Sequence, residues 1–460
     1  MSRLVARFGV DTAEGVMLYT RYEHRLEKIL LDPNRPVAES LLTSHPAANW
    51  FERKVAEDFG VYFANSYDRR PLQRHAHIAP NQFVMRQGFQ SEQLAEQPPQ
   101  PYPYEGVTGS TVYEIAVGPI HAGIIEPGHF HFSQAGEFML HQEVRHFYKY
   151  RAIEKMLQGK TPEQAWPIVS RISGHSSVAW QWAFAQAVIT ASGQENSQSA
   201  QRQAALLLEL ERLAHHLTDL GFIPNDAGFG AALAWSTSLA EQTRRHIQQL
   251  TGHRFAFDAL LQPLTLDSLS LKQFIDTLRD ELARFQDWIE EIPSLWDRLD
   301  TTGKLKPEWA KQYGVVGVMA RASGVALDVR AQDAFYHNLG FEMQRQKKGD
   351  VAARFSVRLA EALHSLFLLE QLLSTSQPFA PIDLPKQIAD SAEGEGWVES
   401  ALGELYCWCQ LESGRIRRFY ARDPSFINWQ ALHLMMPGNI IADFPLINKS
   451  CDLSYAGNDL

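Results

Sequence analysis

The sequence predicts an α+β protein, a small N-terminal α/β module followed by a mainly helical body with β structure at its periphery. The stretch Val16 to Tyr22 mixes β-branched and aromatic residues as a strand does, and Val37 to Phe59 carries apolar residues at helical spacing. A seam then follows, Gln97-Pro98-Pro99-Gln100-Pro101-Tyr102-Pro103, whose four prolines remove backbone donors and favour an extended connection. Beyond it, apolar residues recur at three and four residues over long stretches, the mark of amphipathic helices. These observations divide the chain into a module over 1–96, a linker over 97–108 and a body over 109–460.

Within the body, Thr111 to Val117 alternates like a strand, and Gly118-Pro119 punctuates it. Helices are expected over Glu143 to Leu157, Gln201 to Leu220, Leu271 to Ile289 and Ala352 to Leu373. In the second of these Leu206, Leu210, Leu213, Leu217 and Leu220 form one stripe, and Gly221 is expected to end it. Cys407 and Cys409 flank Trp408 on an expected strand, so the tryptophan faces the other way.

At 460 residues, 45% hydrophobic and 21% charged, the chain can bury a large core. The 43 basic against 53 acidic residues leave a formal charge of −10, which argues against a nucleic-acid partner. Three cysteines are too few for a disulfide framework or a four-thiolate cluster within the chain. No run approaches the roughly 18 to 20 apolar residues of a membrane span, and the N-terminus lacks the apolar stretch of a leader, so a cytoplasmic chain without its own transmembrane segment is expected.

Five of the 17 histidines fall between His121 and His146. In a strand His129 and His131 share one face, as two ligands of an ion would, but no aspartate or cysteine accompanies them and a partly wet polar face is the simpler account. On the leucine-striped helix, Glu211 and His215 lie four apart, and Glu209 and Arg212 three apart, which suits ion pairs or a proton path. The polar run Arg171-Ile172-Ser173-Gly174-His175-Ser176-Ser177 reads most simply as a helix N-cap, and no nucleophile elbow, P-loop or dinucleotide fingerprint occurs.

Several ordered motifs carry a resemblance. Gly118-Pro-Ile-His-Ala-Gly-Ile-Ile-Glu-Pro-Gly-His129, Arg151-Ala-Ile-Glu-Lys155, Leu208-Glu-Leu-Glu-Arg-Leu-Ala-His215, Arg321-Ala-Ser-Gly324, Asp423-Pro-Ser-Phe-Ile-Asn428 and Gly438-Asn-Ile-Ile-Ala-Asp443 resemble the large subunit of complex I-related, formate hydrogenlyase-like nickel-iron hydrogenases and the large quinone-site subunit of complex I. Trp50 to Gly60 with Asp68-Arg-Arg70 resembles the short hydrophilic complex I subunit often fused ahead of it.

The resemblance implies a hydrogenase-large-subunit-like body in which two Cys-x-x-Cys pairs hold the metals. Here Ser173 and Ser176 stand at the first pair, and Leu453 and Ala456 fall near the second. An aliphatic hydroxyl lacks the acidity and the soft sulfur donor of a thiol, so no metal is expected in this chain. The implied function is a metal-free large subunit coupling electron transfer in a partner iron-sulfur subunit to proton or ion translocation. The alternatives are a quinone-reducing subunit of NADH dehydrogenase type and a non-catalytic scaffold.

The expected polar network is Glu126, His121, His129, Glu211 and His215, balanced by Arg171 and Arg321, with Glu126 matching the hydrogenase position that passes protons. The chain is expected to hold no cofactor except a quinone as an option, and to dock on a small iron-sulfur subunit and complex I-like membrane subunits at the inner face of the cell membrane.

Overall fold

The computed structural model describes residues 2–121, 125–386, 389 and 391–460. The chain opens on an antiparallel meander of β1 (Leu4–Thr12), β2 (Gly15–Tyr22) and β3 (Arg25–Leu31). β4 (Val37–Glu39) and β5 (Tyr62–Ala64) pair in parallel on either side of helix α1 (Ala48–Phe59). The helical spacing from Val37 therefore becomes helix only at Ala48, because Val37 to Glu39 finds a strand partner 25 residues on at Tyr62.

After the seam, β6 (Val112–Val117), β7 (His129–Ala135) and β8 (Phe138–Arg145) form a second meander. The helix expected over Glu143 to Leu157 is absent. Its first residues close β8 against β7, with Glu143 opposite His131, and only α2 (Ile153–Met156) is helical. Short α3 (Pro162–Val169) leads to α4 (Ser177–Ala191), α5 (Gln198–Asp226) and α6 (Gly230–Thr251). Next come α7 (Ser268–Glu290), α8 (Pro293–Leu299), α9 (Pro307–Gln312), α10 (Gly317–Ala322), α11 (Ala334–Asn338) and α12 (Val351–Ser374). A third sheet, ordered β11-β10-β9, joins β9 (Ala392–Ser400), β10 (Gly403–Glu412) and β11 (Arg415–Arg422). The chain closes on α13 (Pro424–Ala431), α14 (Phe444–Cys451) and α15 (Tyr455–Asp459).

The leucine stripe lies in the core, with Leu206, Leu210, Leu213, Leu217 and Leu220 almost fully buried. Gly221 does not end the helix, which runs on to Asp226. Its role is close packing: a Cβ at this position would lie 3.0 Å from both the Leu233 Cα and the Ser236 Cβ of α6. The missing side chain lets the two helices touch backbone to backbone, which outweighs the glycine's poor helix propensity.

The proline seam is held against the protein. Arg53 Nη2 donates to the Tyr102 hydroxyl at 2.9 Å, Arg70 Nη1 donates to the Pro103 carbonyl at 3.2 Å, and the Tyr104 ring stacks on His131 at 4.4 Å. The N-terminal meander also shares the core of the body. Phe8 stacks on Tyr420 of β11 at 4.2 Å and tilts against Trp408 of β10 at 5.2 Å, and Arg3 pairs with Glu404 at 2.6 Å.

Gly221→Val tests the α5–α6 contact. The added side chain is expected to lower stability by about 1–3 kcal/mol, read as the denaturation midpoint of the purified protein.

Candidate functional site

Two buried polar clusters meet at α5. In the first, Arg212 Nη2 donates to Glu361 at 2.6 Å, Arg321 donates to Glu361 at 2.7 Å and to Glu399 at 2.6 Å, and Arg330 donates to Glu209 at 3.0 Å and to Asp328 at 2.9 Å. Ser365 adds a hydrogen bond to Glu209 at 2.7 Å, and His216 Nε2 lies 3.1 Å from Glu361. The pairing of Glu209 with Arg212 expected from their spacing is present at 3.5 Å. Three guanidinium groups thus face the four carboxylates of Glu209, Asp328, Glu361 and Glu399. The surplus negative charge accounts for Glu399: burial, then the nearby Asp328, push it up to about 7 against the pull of Arg321.

The second cluster joins the same helix to the C-terminal segment. His215 Nε2 lies 2.7 Å from Asp452 and 3.3 Å from Asp219, while Arg358 and Lys449 reach Asp219 at 2.6 and 3.0 Å. The trio His215, Asp219 and Asp452 has the compactness of a metal site. Its carboxylates are already neutralised by Arg358 and Lys449, so the protein supplies its own cations here. Burial by itself lowers the His215 imidazolium, but the carboxylates of Asp219 and Asp452 outweigh it and raise the ring to about 9.

Glu211, one turn before His215, does not pair with it. Its carboxylate accepts the backbone N–H groups of Val178 at 2.7 Å and Ala179 at 3.1 Å, so it caps α4 from a neighbouring helix. Ser176 occupies the N-cap position without making the capping bond. Burial pushes the Glu211 carboxyl up to about 8 against the pull of those two amides.

Beside this cap the serines meet the C-terminal segment. Ser173 Oγ lies 3.4 Å from Ser454 Oγ and 3.3 Å from His175 Nδ1. Ser454, not Leu453 or Ala456, is therefore the tail side chain that faces Ser173. Leu453 is buried as an apolar residue, and Ala456 contributes backbone, its N–H donating to Glu126 Oε2 at 2.9 Å. The spacing of a Cys-x-x-Cys pair from Ser454 falls on Gly457, where a Cβ would lie 2.2 Å from Asp423 Oδ2, so the carboxyl of Asp423 occupies the direction of a side chain there. The nearest thiol in sequence, Cys451, is buried at the end of α14, and burial raises its pKa.

The expected network is dispersed. His121 and His129 bond to backbone carbonyls of their own loop, Gly128 at 2.8 Å and Gly118 at 3.1 Å. Glu126 holds the tail and lies 3.7 Å from Lys149. Arg171 forms a surface pair with Asp258 at 2.9 Å and covers the Phe257 ring, while Arg321 lies in the first cluster. His129 and His131 do share a face of β7, with ring centroids 6.2 Å apart, and Tyr104 packs against both. The sequence pattern does not single out Asp219, Glu361, Glu399, Asp423, Lys449, Asp452 or Ser454 as site residues, since most of them act through a partner remote in the chain. Local signals lay in the four-residue spacing of His215 and Asp219, the three-residue spacing of Lys449 and Asp452, and the N-cap positions of Asp423 and Ser454.

The chain thus combines a small sheet module, a helical body built on buried ion pairs and a polar junction between α4, α5 and the C-terminal segment. Residues 226–389 match the family "Respiratory-chain NADH dehydrogenase, 49 Kd subunit", and residues 3–93 match its "30 Kd subunit" counterpart. Both family models are thus matched within the one polypeptide. Formate hydrogenlyase subunit 5 of Escherichia coli K12 is 27% identical over 94% of this chain and 78% of its own length. An NADH-quinone oxidoreductase subunit from Desulfotalea psychrophila is 28% identical over 74% of this chain and 95% of its own. A chain of the membrane-bound sulfane sulfur reductase, an archaeal respiratory membrane complex, superposes with a TM-score of 0.71 at 25% identity, covering 76% of this chain and 99% of that one. Among the described residues no helix is long and apolar enough to cross a membrane.

Glu361→Ala is expected to cost about 3–5 kcal/mol, because it breaks the buried ion pairs to Arg212 and Arg321 and leaves donors of both guanidinium groups unpaired in the core; chemical denaturation measures it. His215 generates a pH dependence. Its pKa, raised from 6.5 to about 9, means that its ion pairs stabilise fully below pH 6.5 and are lost as pH rises through 9. Stability is expected to fall across that window by at most about 1.4 kcal/mol per pH unit, and His215→Asn is expected to remove this part of the slope.

Proposed function

We propose that this chain is a metal-free large subunit of a membrane-associated oxidoreductase related to complex I and to nickel-iron hydrogenases. It couples electron transfer in a partner iron-sulfur subunit to proton or ion translocation by complex I-like membrane subunits at the inner face of the membrane. The observation that carries the reading is the constellation of Ser173, Ser176, Ser454 and Gly457. Serines stand at both positions of the first expected thiolate pair and Leu453 and Ala456 near the second, while the tail side chain that meets Ser173 is the hydroxyl of Ser454, and Asp423 lies where a side chain at 457 would project. Hard, neutral hydroxyls do not fit a thiolate-bound nickel-iron pair.

What the chain does keep is the polar junction around that position. Glu126 bonds the backbone beside Tyr455, Glu211 caps α4, and His215 ties α5 to Asp452. In this reading Glu126 is the proton-handling group near the surface. The ion pairs of α5 link the junction mechanically to the helical core, so a change at the partner's cluster reaches both. Electrons stay in the partner, because this chain offers no thiolate set to hold a cluster.

Elemental analysis of the purified complex is expected to find no stoichiometric nickel, and nickel at one per chain overturns the metal-free assignment. In reconstituted complex, Glu126→Gln is expected to lower ion transport per electron transferred. Unchanged turnover together with unchanged transport would assign the chain a scaffold role instead.

A further inference from the structure

Inside the N-terminal module, between α1, β5 and the segment 78–94, lies a cavity of about 390 Å³. Ala56, Val61, Phe63, Phe83, Val84 and Leu94 give it an apolar lining. Its volume falls within the ~300–1,000 Å³ typical of small-molecule pockets. Neither the polar junction nor the ion-pair clusters reach it, and the proposed coupling does not use it.

The charges around the cavity are unequal in their engagement. Glu52 pairs with Arg7 and accepts from Ser40 at 2.7 Å, and Glu57 accepts the backbone N–H groups of Leu72, Gln73 and Arg74 at 2.8, 2.8 and 3.1 Å. Asp58 takes Lys54 at 2.7 Å, and Asp68 takes Arg70 at 2.8 Å and Arg53 at 3.2 Å. Every carboxylate lining the cavity is therefore occupied. Arg69 and Arg74 line it too, and neither has a carboxylate partner among the described residues. The Arg69 guanidinium instead lies over the Tyr62 ring and donates from Nη2 to the Phe63 carbonyl at 3.2 Å, which fixes its position with no carboxylate against it.

An apolar chamber bordered by two uncompensated guanidinium groups is complementary to a molecule with an apolar body and a single anionic head. Guanidinium binds carboxylate through paired, charge-assisted hydrogen bonds, and the apolar walls reward burial of the hydrocarbon part. We propose that this cavity is a binding site for a small hydrophobic carboxylate, with Arg69 and Arg74 holding the head and Phe63, Phe83 and Val84 enclosing the body. A neutral molecule of the same shape would leave both cations unpaired, and a cationic one would be repelled.

The test is calorimetric titration of the complete chain with octanoate and, separately, with octanol at low salt. Octanoate is expected to saturate one site per chain and to bind at least about tenfold tighter than octanol, with the preference shrinking as salt is raised. Arg69 is exposed and Arg74 half-buried, so the double variant R69A/R74A is expected to keep its melting temperature and lose the preference. Val84→Trp, which fills the chamber, is expected to abolish binding of both probes. The proposal is overturned by absence of saturable octanoate binding, by equal affinity for the two probes, or by a preference that survives in R69A/R74A.

Discussion

The buried ion pairs around α5 are the constraint on which the rest of the structure depends. Glu209, Arg212, His215 and His216 project from one helix into the buried core, where an unpaired charge is prohibitively costly. Glu209 pairs with Arg330 between α10 and α11, Arg212 and His216 with Glu361 on α12, and His215 with Asp452 after α14, while Arg321 on α10 ties Glu361 to Glu399 on β9. Apolar packing alone tolerates small slips of helix against helix. Bidentate and shared carboxylates do not, so these pairs fix the relative positions of α5, α10 and α12, a sheet and the C-terminal segment.

The junction of α4 with the tail is tied into the same frame through His215 and Asp452. Ser173 and Ser454 face one another, the α4 N-terminus finds a carboxylate in Glu211, and Glu126 holds the backbone at Ala456. The ion-pair frame is built from residues outside the position where the resemblance places metal. A family framework shared with hydrogenases and with NADH-quinone oxidoreductases accordingly says more about shape than about reaction.

The fusion has a physical side as well. The N-terminal meander lays Phe8 on Tyr420 and Trp408 of the third sheet, and Arg3 joins Arg422 on Glu404. The proline seam is strapped by Arg53 and Arg70 along the outside of the second meander. The two family domains thus meet through aromatic stacking and buried charge, contacts that bring the N-terminal module into register with the body.

The sequence by itself determined the α+β class, the long helices near 201–220, 271–289 and 352–373, the shared face of His129 and His131, and the absence of thiols at 173 and 176. All of these follow from local pattern, because periodicity and residue chemistry act over a few positions. Tertiary structure decided the rest. Gly221 sits mid-helix because α6 presses against it, and Glu143 became strand because β7 offered a ladder. Glu211 turned from its neighbour His215 to the end of α4, and Ser454 rather than Leu453 met Ser173. Each of these outcomes depends on a partner far away in the chain, and long-range pairing of buried polar groups leaves no periodic trace in the sequence that forms it.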